Sequence, residues 1–307
     1  MGAFEPVASG YAALTKEMAA HHLARQVLLV SGRDALSYLE GQCSQELGGL
    51  EVGMSSETLV LEPDGKLVAF ARVSRLGEEE LCVDVEAPSA PSLLARLERF
   101  KLRSRLAIEP ADWVAIALRG PLTPPASDLS APLVALVEHN GRRGADLLGP
   151  RETLEPPAGV PWCTDDAWEA ARIEAGEPLM GKDLSEGMNP FATGIIGRAV
   201  SFTKGCYTGQ ELVARIDSRG GHVPRRLIGL VLAADPDPGA LAGSSLFDRA
   251  SSKAVGEVTS AAWCPGLGGV GALGYLHRSV GTGAVVRVGD DRGAGSITAE
   301  TKELPLL

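Results

Sequence analysis

The last third of the chain contains short apolar segments of four to seven residues, separated by Gly, Pro and Asp. The segments are residues 227–232, 245–248, 254–260, 271–276 and 285–288. Short strands at regular spacing with turn residues between them are typical of a small antiparallel barrel or sandwich. Glycine is also frequent, with 37 in 307 residues, which favours many turns over a helical bundle. We therefore expect residues 223–307 to form a C-terminal antiparallel β-barrel domain.

The region before residue 223 mixes helices and strands without a regular βα repeat, which predicts an α+β fold. Its first 20 residues are small and mixed and predict only a loosely packed arm. Domain lengths typical of soluble proteins suggest one unit over 1–222. Predicted strands are 26–31, 58–61, 67–73, 80–85, 113–118, 133–137 and 145–148, and predicted helices are 35–42, 92–100 and 166–175.

The composition narrows the range of partners. The formal net charge is −10, so general attraction to nucleic acid is disfavoured and an anionic partner would need a local basic patch. The five cysteines have no paired spacing, which predicts neither a disulfide framework nor a preformed metal site. We see no secretion signal and expect a cytoplasmic monomer. Residues 258–276 are 19 uncharged residues, a length that could span a bilayer. Five glycines and a proline divide them into strand and turn, so we expect no membrane-spanning helix there.

Residues 204–211 read KGCYTGQE and predict a loop that leads into a helix beginning near Gly209. Thr208 and Glu211 have the spacing of a capping box. Cys206 would then lie near unpaired backbone N–H groups and the Lys204 ammonium, which favour a reactive thiolate. Most cysteines in soluble proteins are nevertheless buried and inert, so both interpretations stay open on these residues alone.

Residues 172–176 read RIEAG at the end of a predicted helix. A carboxylate at Glu174 is disfavoured by the helix dipole unless something pairs with it. This position suggests a functional group, whereas the ordinary alternative is a solvated acid or an ion pair with a neighbouring arginine.

Two glycine patterns imitate nucleotide-binding loops. Residues 176–182 match GxxxxGK, but Asp183 stands where a Ser or Thr is needed and the segment follows a helix. Residues 266–271 match GxGxxG, but too little chain follows to build a dinucleotide-binding unit. We interpret the second pattern as a turn of the barrel.

Residues 198–226 are strongly basic within an acidic protein. They form either a solvated face, with Glu211 and Arg215 as an ion pair one turn apart, or a cationic rim for an anionic ligand or partner. The basic residues are Arg198, Lys204, Arg215, Arg219, His222, Arg225 and Arg226.

The octet at 204–211 resembles, at all eight positions, the signature of the YgfZ family. These are folate-binding proteins of the aminomethyltransferase (glycine-cleavage T protein) superfamily that act in iron–sulfur cluster assembly or repair. The resemblance implies two α+β lobes, over roughly 20–110 and 111–222, and a C-terminal barrel around a central folate cavity. Tetrahydrofolate is the cofactor that it implies. It also implies that Glu174 of the RIEAG motif holds the pterin ring.

The resemblance suggests further site residues. Cys206 would be the reactive or cluster-contacting thiolate and Lys204 would tune it electrostatically. Arg172 belongs to the motif of the pterin-binding glutamate, Tyr207 would stack or hydrogen-bond at the mouth, and Arg198 belongs to the rim for the folate tail.

One difference from the superfamily pattern distinguishes a folate-binding factor from a folate-dependent transferase. True aminomethyltransferases carry a catalytic aspartate shortly after the glycine that corresponds to Gly65, but residues 66–77 contain no acid. The standard general acid/base step would lack its residue. The leading hypothesis is therefore a tetrahydrofolate-binding factor that supports iron–sulfur client or assembly proteins. The alternatives are a folate-dependent one-carbon transferase and a protein of tRNA modification that contacts RNA through residues 198–226.

Overall fold

The computed structural model describes residues 5–140, 142–248, 253–289 and 297–307. Its helices are α1 (Glu5–Lys16), α2 (Ala35–Gln42), α3 (Ala90–Lys101), α4 (Asp165–Glu174), α5 (Ile196–Ala199) and α6 (Gln210–Asp217). Its strands before residue 223 are β1 (Ala19–Leu23), β2 (Arg25–Ser31), β3 (Ser55–Leu61), β4 (Leu67–Arg75), β5 (Glu80–Glu86), β6 (Ala107–Ala111), β7 (Trp113–Arg119), β8 (Leu133–His139) and β9 (Arg142–Pro150). The later strands are β10 (Arg225–Leu232), β11 (Ser245–Asp248), β12 (Ala254–Cys264), β13 (Gly269–His277), β14 (Val285–Gly289) and β15 (Ile297–Lys302).

The first sheet has the antiparallel order β3-β4-β5-β2-β6. Helices α2 and α3 cover one of its faces, where Leu39 and Leu93 pack on Val73 and Val83 in a shared core. The predicted meander over β3, β4 and β5 is confirmed, whereas β6 was not predicted. Because one face is covered by helices, side chains from alternate positions of β2, β4 and β5 point to the opposite side.

The second sheet has the order β1-β7-β9-β8. It packs on the free face of the first sheet, and Val27 and Cys82 meet Ala115 and Leu148 in a common core. The space between the two sheets is the structural basis of the cavity described below.

The prediction of a loosely packed arm over residues 1–20 is wrong for the described part. Helix α1 packs on α4, with Val7 and Leu14 against Ala167 and Ala171. Strand β1 pairs with β7 along its whole length. Short-range patterns missed both elements because their stability comes from contacts with α4 and β7, which are distant in sequence.

Strands β10 to β15 close into an antiparallel barrel of order β10-β13-β12-β11-β14-β15. This confirms the predicted α+β fold with a C-terminal barrel, although β15 was not predicted. The uncharged segment 258–276 lies in β12, β13 and their turn, as expected. No helix in the described ranges is both long and apolar enough to cross a membrane.

Candidate ligand cavity and exposed thiol loop

A partly open cavity lies between the two sheets and α4, with about 930 Å³ of space between its atoms when the mouth is included. Its walls combine two aromatic rings with aliphatic side chains, a composition typical of sites for small organic ligands. The larger apolar side chains at the cavity are Leu14, Leu23, Phe70, Val137, Trp168 and Leu179. The charged ones are Arg25, Glu57, Arg72, Glu86, Arg119, Asp146, Arg172 and Glu177.

Six charged residues, four of them buried and two partly buried, form an alternating chain, which we call the charge chain. In order it is Arg119, Asp146, Arg72, Asp84, Arg25 and Glu86. Each link is an ion pair between a guanidinium and a carboxylate. Three positive and three negative charges thus neutralise one another between the sheets, as buried charges require.

The charge chain follows from strand register. Arg25 of β2 lies directly opposite Glu86 of β5, and Arg72 of β4 lies opposite Asp84. Arg72 donates to both oxygens of Asp84, at 2.9 and 3.0 Å, and reaches across to Asp146 of the second sheet at 2.7 Å. The chain therefore also ties the two sheets together.

Electrostatics hold the inner members in their charged forms. Burial alone would raise the pKa of Asp146, but the adjacent Arg119 and Arg72 hold that pKa well below its usual range. Burial alone would lower the pKa of Arg72, but Asp84 and Asp146 raise it. Asp146 is therefore ionised at neutral pH and is poorly suited to donate a proton.

Glycine is required where the second sheet meets the charge chain. A Cβ atom at position 144 would lie 2.2 Å from the Leu118 carbonyl oxygen and 3.1 Å from an Arg119 guanidinium nitrogen. Gly144 lies opposite Arg119 on β9. Its missing side chain leaves room for the arginine to reach Asp146.

Glu174 is buried at the end of α4 and is not among the residues that line the cavity. Its Oε2 accepts a hydrogen bond from the Tyr11 hydroxyl, and its Oε1 accepts one from the Gly266 N–H at 2.9 Å. The disfavoured charge at the helix end is thus compensated by α1 and by the turn between β12 and β13. The predicted pterin contact of Glu174 stays a prediction.

The first glycine of the GxGxxG pattern at 266–271 has a structural role beside Glu174. A Cβ atom at Gly266 would lie 2.5 Å from the Tyr11 hydroxyl and 2.9 Å from Glu174 Oε1. Only glycine allows the barrel turn to approach the carboxylate so closely. This agrees with our interpretation of the pattern as a barrel turn.

Arg172 reaches the cavity wall, but its guanidinium is fully engaged with protein groups. It donates to Glu169, to Asp183 at 2.6 Å and to Ser260 of the barrel at 2.8 Å. These contacts connect α4 to the following loop and to β12. Its ligand contact also stays a prediction.

Arg198 is paired in a different way. It forms two hydrogen bonds to Glu177, and its Nε lies 3.0 Å from Glu57 Oε2. Its guanidinium carbon is 5.2 Å from the centre of the Phe70 ring. Arg198 therefore lies close to a cavity ring, with both glutamates balancing its charge.

Residues 201–208, which we call the thiol loop, lie against the C-terminal end of α2. Lys204 Nζ donates to the carbonyl oxygens of Glu40, Cys43 and Gln45 at 2.8–2.9 Å, and Glu40 Oε1 is also 2.8 Å away. The lysine side chain is 0 % exposed. A cation is favourable at a helix C-terminus, so Lys204 fastens the loop to α2.

No hydrogen bond or ion pair joins Lys204 to Cys206 in the described part of the chain. Cys206 is exposed, whereas its neighbour Tyr207 is 7 % exposed and belongs to an apolar core with Leu59 and Phe70. Burial raises the pKa of the Tyr207 hydroxyl to about 12. The loop thus presents Cys206 between two residues that are anchored in the interior.

The predicted capping box is wrong. Helix α6 begins at Gln210 with Gly209 as its N-cap, and among the described residues no side-chain hydrogen bond caps it. The Thr208 N–H donates instead to the Gly41 carbonyl oxygen at 3.1 Å. Gly209 has φ +85°, and a Cβ there would lie 2.6 Å from the Glu62 carbonyl oxygen in the turn between β3 and β4. This close approach favours a glycine at the helix start, where the sequence pattern alone suggested a threonine cap.

The basic segment divides into buried and exposed members. Arg198 and Lys204 are committed to internal partners, and Arg226 pairs with Glu303. The exposed members are Arg215, Arg219, His222 and Arg225. The predicted ion pair between Glu211 and Arg215 is absent among the ion pairs of the described residues.

The charge chain was missed by the sequence analysis, although it leaves a signal. Arg72 and Asp146 are the single charged residues of apolar segments predicted as strands, and Asp84 lies inside a third such segment, which begins with Glu80. A charge in such a position is buried only with a partner. Pairing opposite charges among the predicted strands would have indicated the network, although not its order.

The comparisons with known proteins agree with this architecture. The family model of the glycine cleavage T-protein C-terminal barrel domain matches residues 225–306. An uncharacterised protein of Haemophilus influenzae is 32% identical over 204 residues, which is 64% of this chain and 68% of that protein. The tRNA-modifying protein YgfZ of Pectobacterium atrosepticum is 27% identical, covering 62% of this chain and 63% of its own.

Other relatives extend the similarity over most of the chain. An aminomethyltransferase of Streptomyces avermitilis is 27% identical, covering 84% of this chain and 78% of its own. The crystal structure of glycine cleavage system aminomethyltransferase T from Bartonella henselae superposes with a TM-score of 0.83 at 21% identity. That match covers 98% of this chain and 89% of the other, and it shows that the fold is shared.

Proposed function

This chain belongs to the YgfZ-like family of proteins related to aminomethyltransferases, and we propose that its central cavity binds tetrahydrofolate. The observation that carries the proposal is the cavity itself, which lies between the sheets and is lined by Phe70, Trp168 and aliphatic side chains. Flat aromatic walls suit a pterin ring. The Glu86 carboxylate at the same wall suits the N–H groups on the edge of that ring.

We further propose that the protein supports iron–sulfur client or assembly proteins rather than catalysing one-carbon transfer. Past Gly65, strand β4 contributes Phe70, Ala71 and Arg72 to the cavity, and none of these can transfer a proton as a carboxyl group does. The nearby carboxylates of Asp84 and Asp146 are paired with arginines. A bound folate would offer one-carbon and hydride chemistry, but residues 66–77, which follow Gly65, supply no carboxyl group to the cavity.

In this proposal Cys206 is the group that meets the client. Its loop is fastened to α2 through Lys204, and the thiol is exposed. An exposed thiol on an anchored loop can reach a metal cluster or a cysteine of another protein. The predicted roles of Glu174, Arg172, Tyr207 and Arg198 in holding folate belong to the same proposal and need the same test.

The binding test is anaerobic calorimetry of the purified protein with tetrahydrofolate. Val137 lines the cavity, and its neighbour Leu136 is 61% exposed on the other side of β8. We expect the wild type and Leu136→Trp to bind equally and Val137→Trp to bind at least tenfold more weakly, because the indole occupies the cavity. Equal binding by both tryptophan variants would place the folate elsewhere, and no binding by the wild type would remove the proposal.

The cellular test uses cells in which the gene for this protein is deleted. We expect the wild-type gene to restore the activity of iron–sulfur enzymes and Cys206→Ser to restore only part of it. Cys163→Ser is the control, because Cys163 lies outside the thiol loop and is partly buried. Full rescue by Cys206→Ser would exclude the thiol from the function.

A second candidate, contact with tRNA, has one structural observation in its favour. Arg215, Arg219 and Arg225 are exposed within one short segment, and one relative is named a tRNA-modifying protein. We expect any such contact to weaken steeply with salt. A gel-shift titration at low and at physiological salt tests it, and absence of binding at low salt would end it.

A further inference from the structure

Glu86 is the end of the charge chain and differs from its other carboxylates. Its Oε1 accepts a hydrogen bond from Arg25 at 2.8 Å. Its Oε2 is shielded from solvent and has no hydrogen-bond partner in the described part of the chain. The residue is 9 % exposed and lines the cavity. A buried carboxylate oxygen without a partner is uncommon in folded proteins and calls for an explanation.

The neighbouring carboxylates do not share this property. Asp84 accepts hydrogen bonds from Arg25 and Arg72 on both of its oxygens. Asp146 accepts one from Arg119 at 2.7 Å and one from Arg72 at 2.7 Å. Among the three carboxylates of the charge chain, Glu86, at one end, is thus the one with an oxygen that lacks a donor in the described part of the chain.

Arg25 is already committed and has little left to offer Glu86 Oε2. Its Nε donates to the Asp84 side chain, and its second terminal nitrogen donates to the Asp84 carbonyl oxygen at 2.8 Å. The backbone pairing of β2 and β5 fixes this arrangement, because Arg25 and Glu86 face each other in register. A donor for Oε2 is therefore best supplied from the cavity.

The surroundings define the chemistry of that donor. Phe70 and Trp168 offer flat apolar surfaces in the same cavity. An ionised carboxylate accepts on both oxygens and prefers two parallel donors. The charge chain is already neutral in sum, so the donor need not bring a full positive charge. These requirements fit a flat heterocycle with a ring N–H next to an amino group.

We propose that Glu86 recognises the N–H edge of the bound heterocycle. Its carboxylate accepts hydrogen bonds from the ring N–H and the adjacent amino group of a 2-amino-4-oxo-pteridine. This inference rests on the proposed binding of tetrahydrofolate and assigns its recognition to a residue outside the family motifs. It makes Glu86 a specificity-determining residue. Glu174 then acts structurally, joining α4, α1 and the barrel turn.

The experiment compares Glu86→Gln with the wild type by anaerobic calorimetry. We expect the dissociation constant for tetrahydrofolate to rise about 10- to 100-fold, because hydrogen bonds to a charged acceptor are lost. The affinity for p-aminobenzoylglutamate, which has the tail but no pteridine, should be unchanged. Glu80→Gln at the exposed start of the same strand is the matched control and should bind as the wild type. Thermal melting checks that each variant is folded.

A folate analogue without the 2-amino group provides a second arm. It should bind the wild type weakly, and Glu86→Gln should weaken it little further. Should Glu86→Gln fail to fold, Glu86→Asp keeps the charge opposite Arg25 but withdraws the oxygens by one methylene. It should also lose affinity for tetrahydrofolate.

The outcomes separate the two proposals. Tetrahydrofolate binding that is unchanged in Glu86→Gln, or lost in Glu174→Gln instead, would overturn the role of Glu86 while leaving folate binding intact. An equal loss for tetrahydrofolate and the tail fragment would also overturn it, because the effect would then be general. A wild-type protein that binds no folate would overturn the proposed function itself.

Discussion

The central cavity and the thiol loop both contain buried charge, but they neutralise it in different ways. In the cavity, three arginines and three carboxylates neutralise one another, and one oxygen of Glu86 has no hydrogen-bond partner among the described residues. In the loop, the Lys204 ammonium binds backbone carbonyl oxygens and the Cys206 thiol is left exposed. This difference shows that a charged residue near a sequence motif can serve the structure alone, as Lys204 does. The groups left without a partner, or left exposed, are the better candidates.

The two regions also differ in what their charges hold together. The charge chain connects two sheets, so its loss should affect the body of the protein. Lys204 connects a loop to the end of one helix, so its loss should be more local. Four predictions test this contrast.

The largest effect is expected for Asp84→Asn. The substitution leaves Arg25 and Arg72 without their shared carboxylate in a buried site, and removing one partner of a buried ion pair costs about 3–5 kcal/mol. Urea denaturation of the variant and the wild type measures the loss in the free energy of unfolding. Asp112→Asn is the control, because its pair with Arg151 is 64–77% exposed and should contribute less than about 1 kcal/mol. Equal losses in the two variants would show that the charge chain is not a structural element.

Lys204→Met should have the next largest effect. Three carbonyl oxygens would lose their donor, at a cost of about 2–4 kcal/mol, and the thiol loop should loosen from α2. Thermal denaturation gives the stability, and limited proteolysis within residues 201–208 reports the loosening. Lys66→Met is the control, because Lys66 is 57% exposed in its pair with Asp64. A variant as stable and as protease-resistant as the wild type would contradict the anchoring role.

Asp146 predicts how the stability of the charge chain depends on pH. Its folded-state pKa is held below that of the unfolded chain, so its contribution is fully present above the unfolded value, near 4, and disappears as the pH falls toward the folded value. We expect Asp146→Asn to be about 1–3 kcal/mol less stable than the wild type at pH 7. The gap should shrink below pH 4, as urea denaturation from pH 3 to pH 7 would show. A difference in the free energy of unfolding that grows on acidification would contradict the predicted direction.

The same contrast explains what the sequence could predict. Local signals sufficed for five of the six barrel strands, for the meander over β3–β5 and for a loop at 204–209, since turn residues and alternating apolar positions are local properties. The charge chain depends on the register of strands that are far apart in sequence, so its order had no local signal. The motif identified the thiol loop correctly as a loop but suggested the wrong use of Thr208, because the cap depends on how closely Gly209 approaches the turn at Glu62.

The smallest effect on stability, and the sharpest chemical one, is expected for Cys206→Ser. Cys206 is exposed, so its replacement should change the free energy of unfolding by less than about 0.5 kcal/mol. Burial raises the pKa of Cys43 to about 12 and that of Cys163 to about 11, which leaves little thiolate at either site near pH 8. Iodoacetamide at pH 8 should therefore modify Cys206 first, as peptide mass spectrometry can show.

The Cys163→Ser control should keep this rapid modification, and Cys206→Ser should lose it. A second cysteine that reacts as fast as Cys206 would mean that the interior opens on the timescale of alkylation, and the contrast between an exposed thiol and buried charges would fail.

Combining the reagent with Lys204→Met sharpens the comparison. The Cys43 carbonyl is one of the three that Lys204 holds, so loosening the loop should expose the Cys43 thiol and add a second site of modification, whereas Lys66→Met should not.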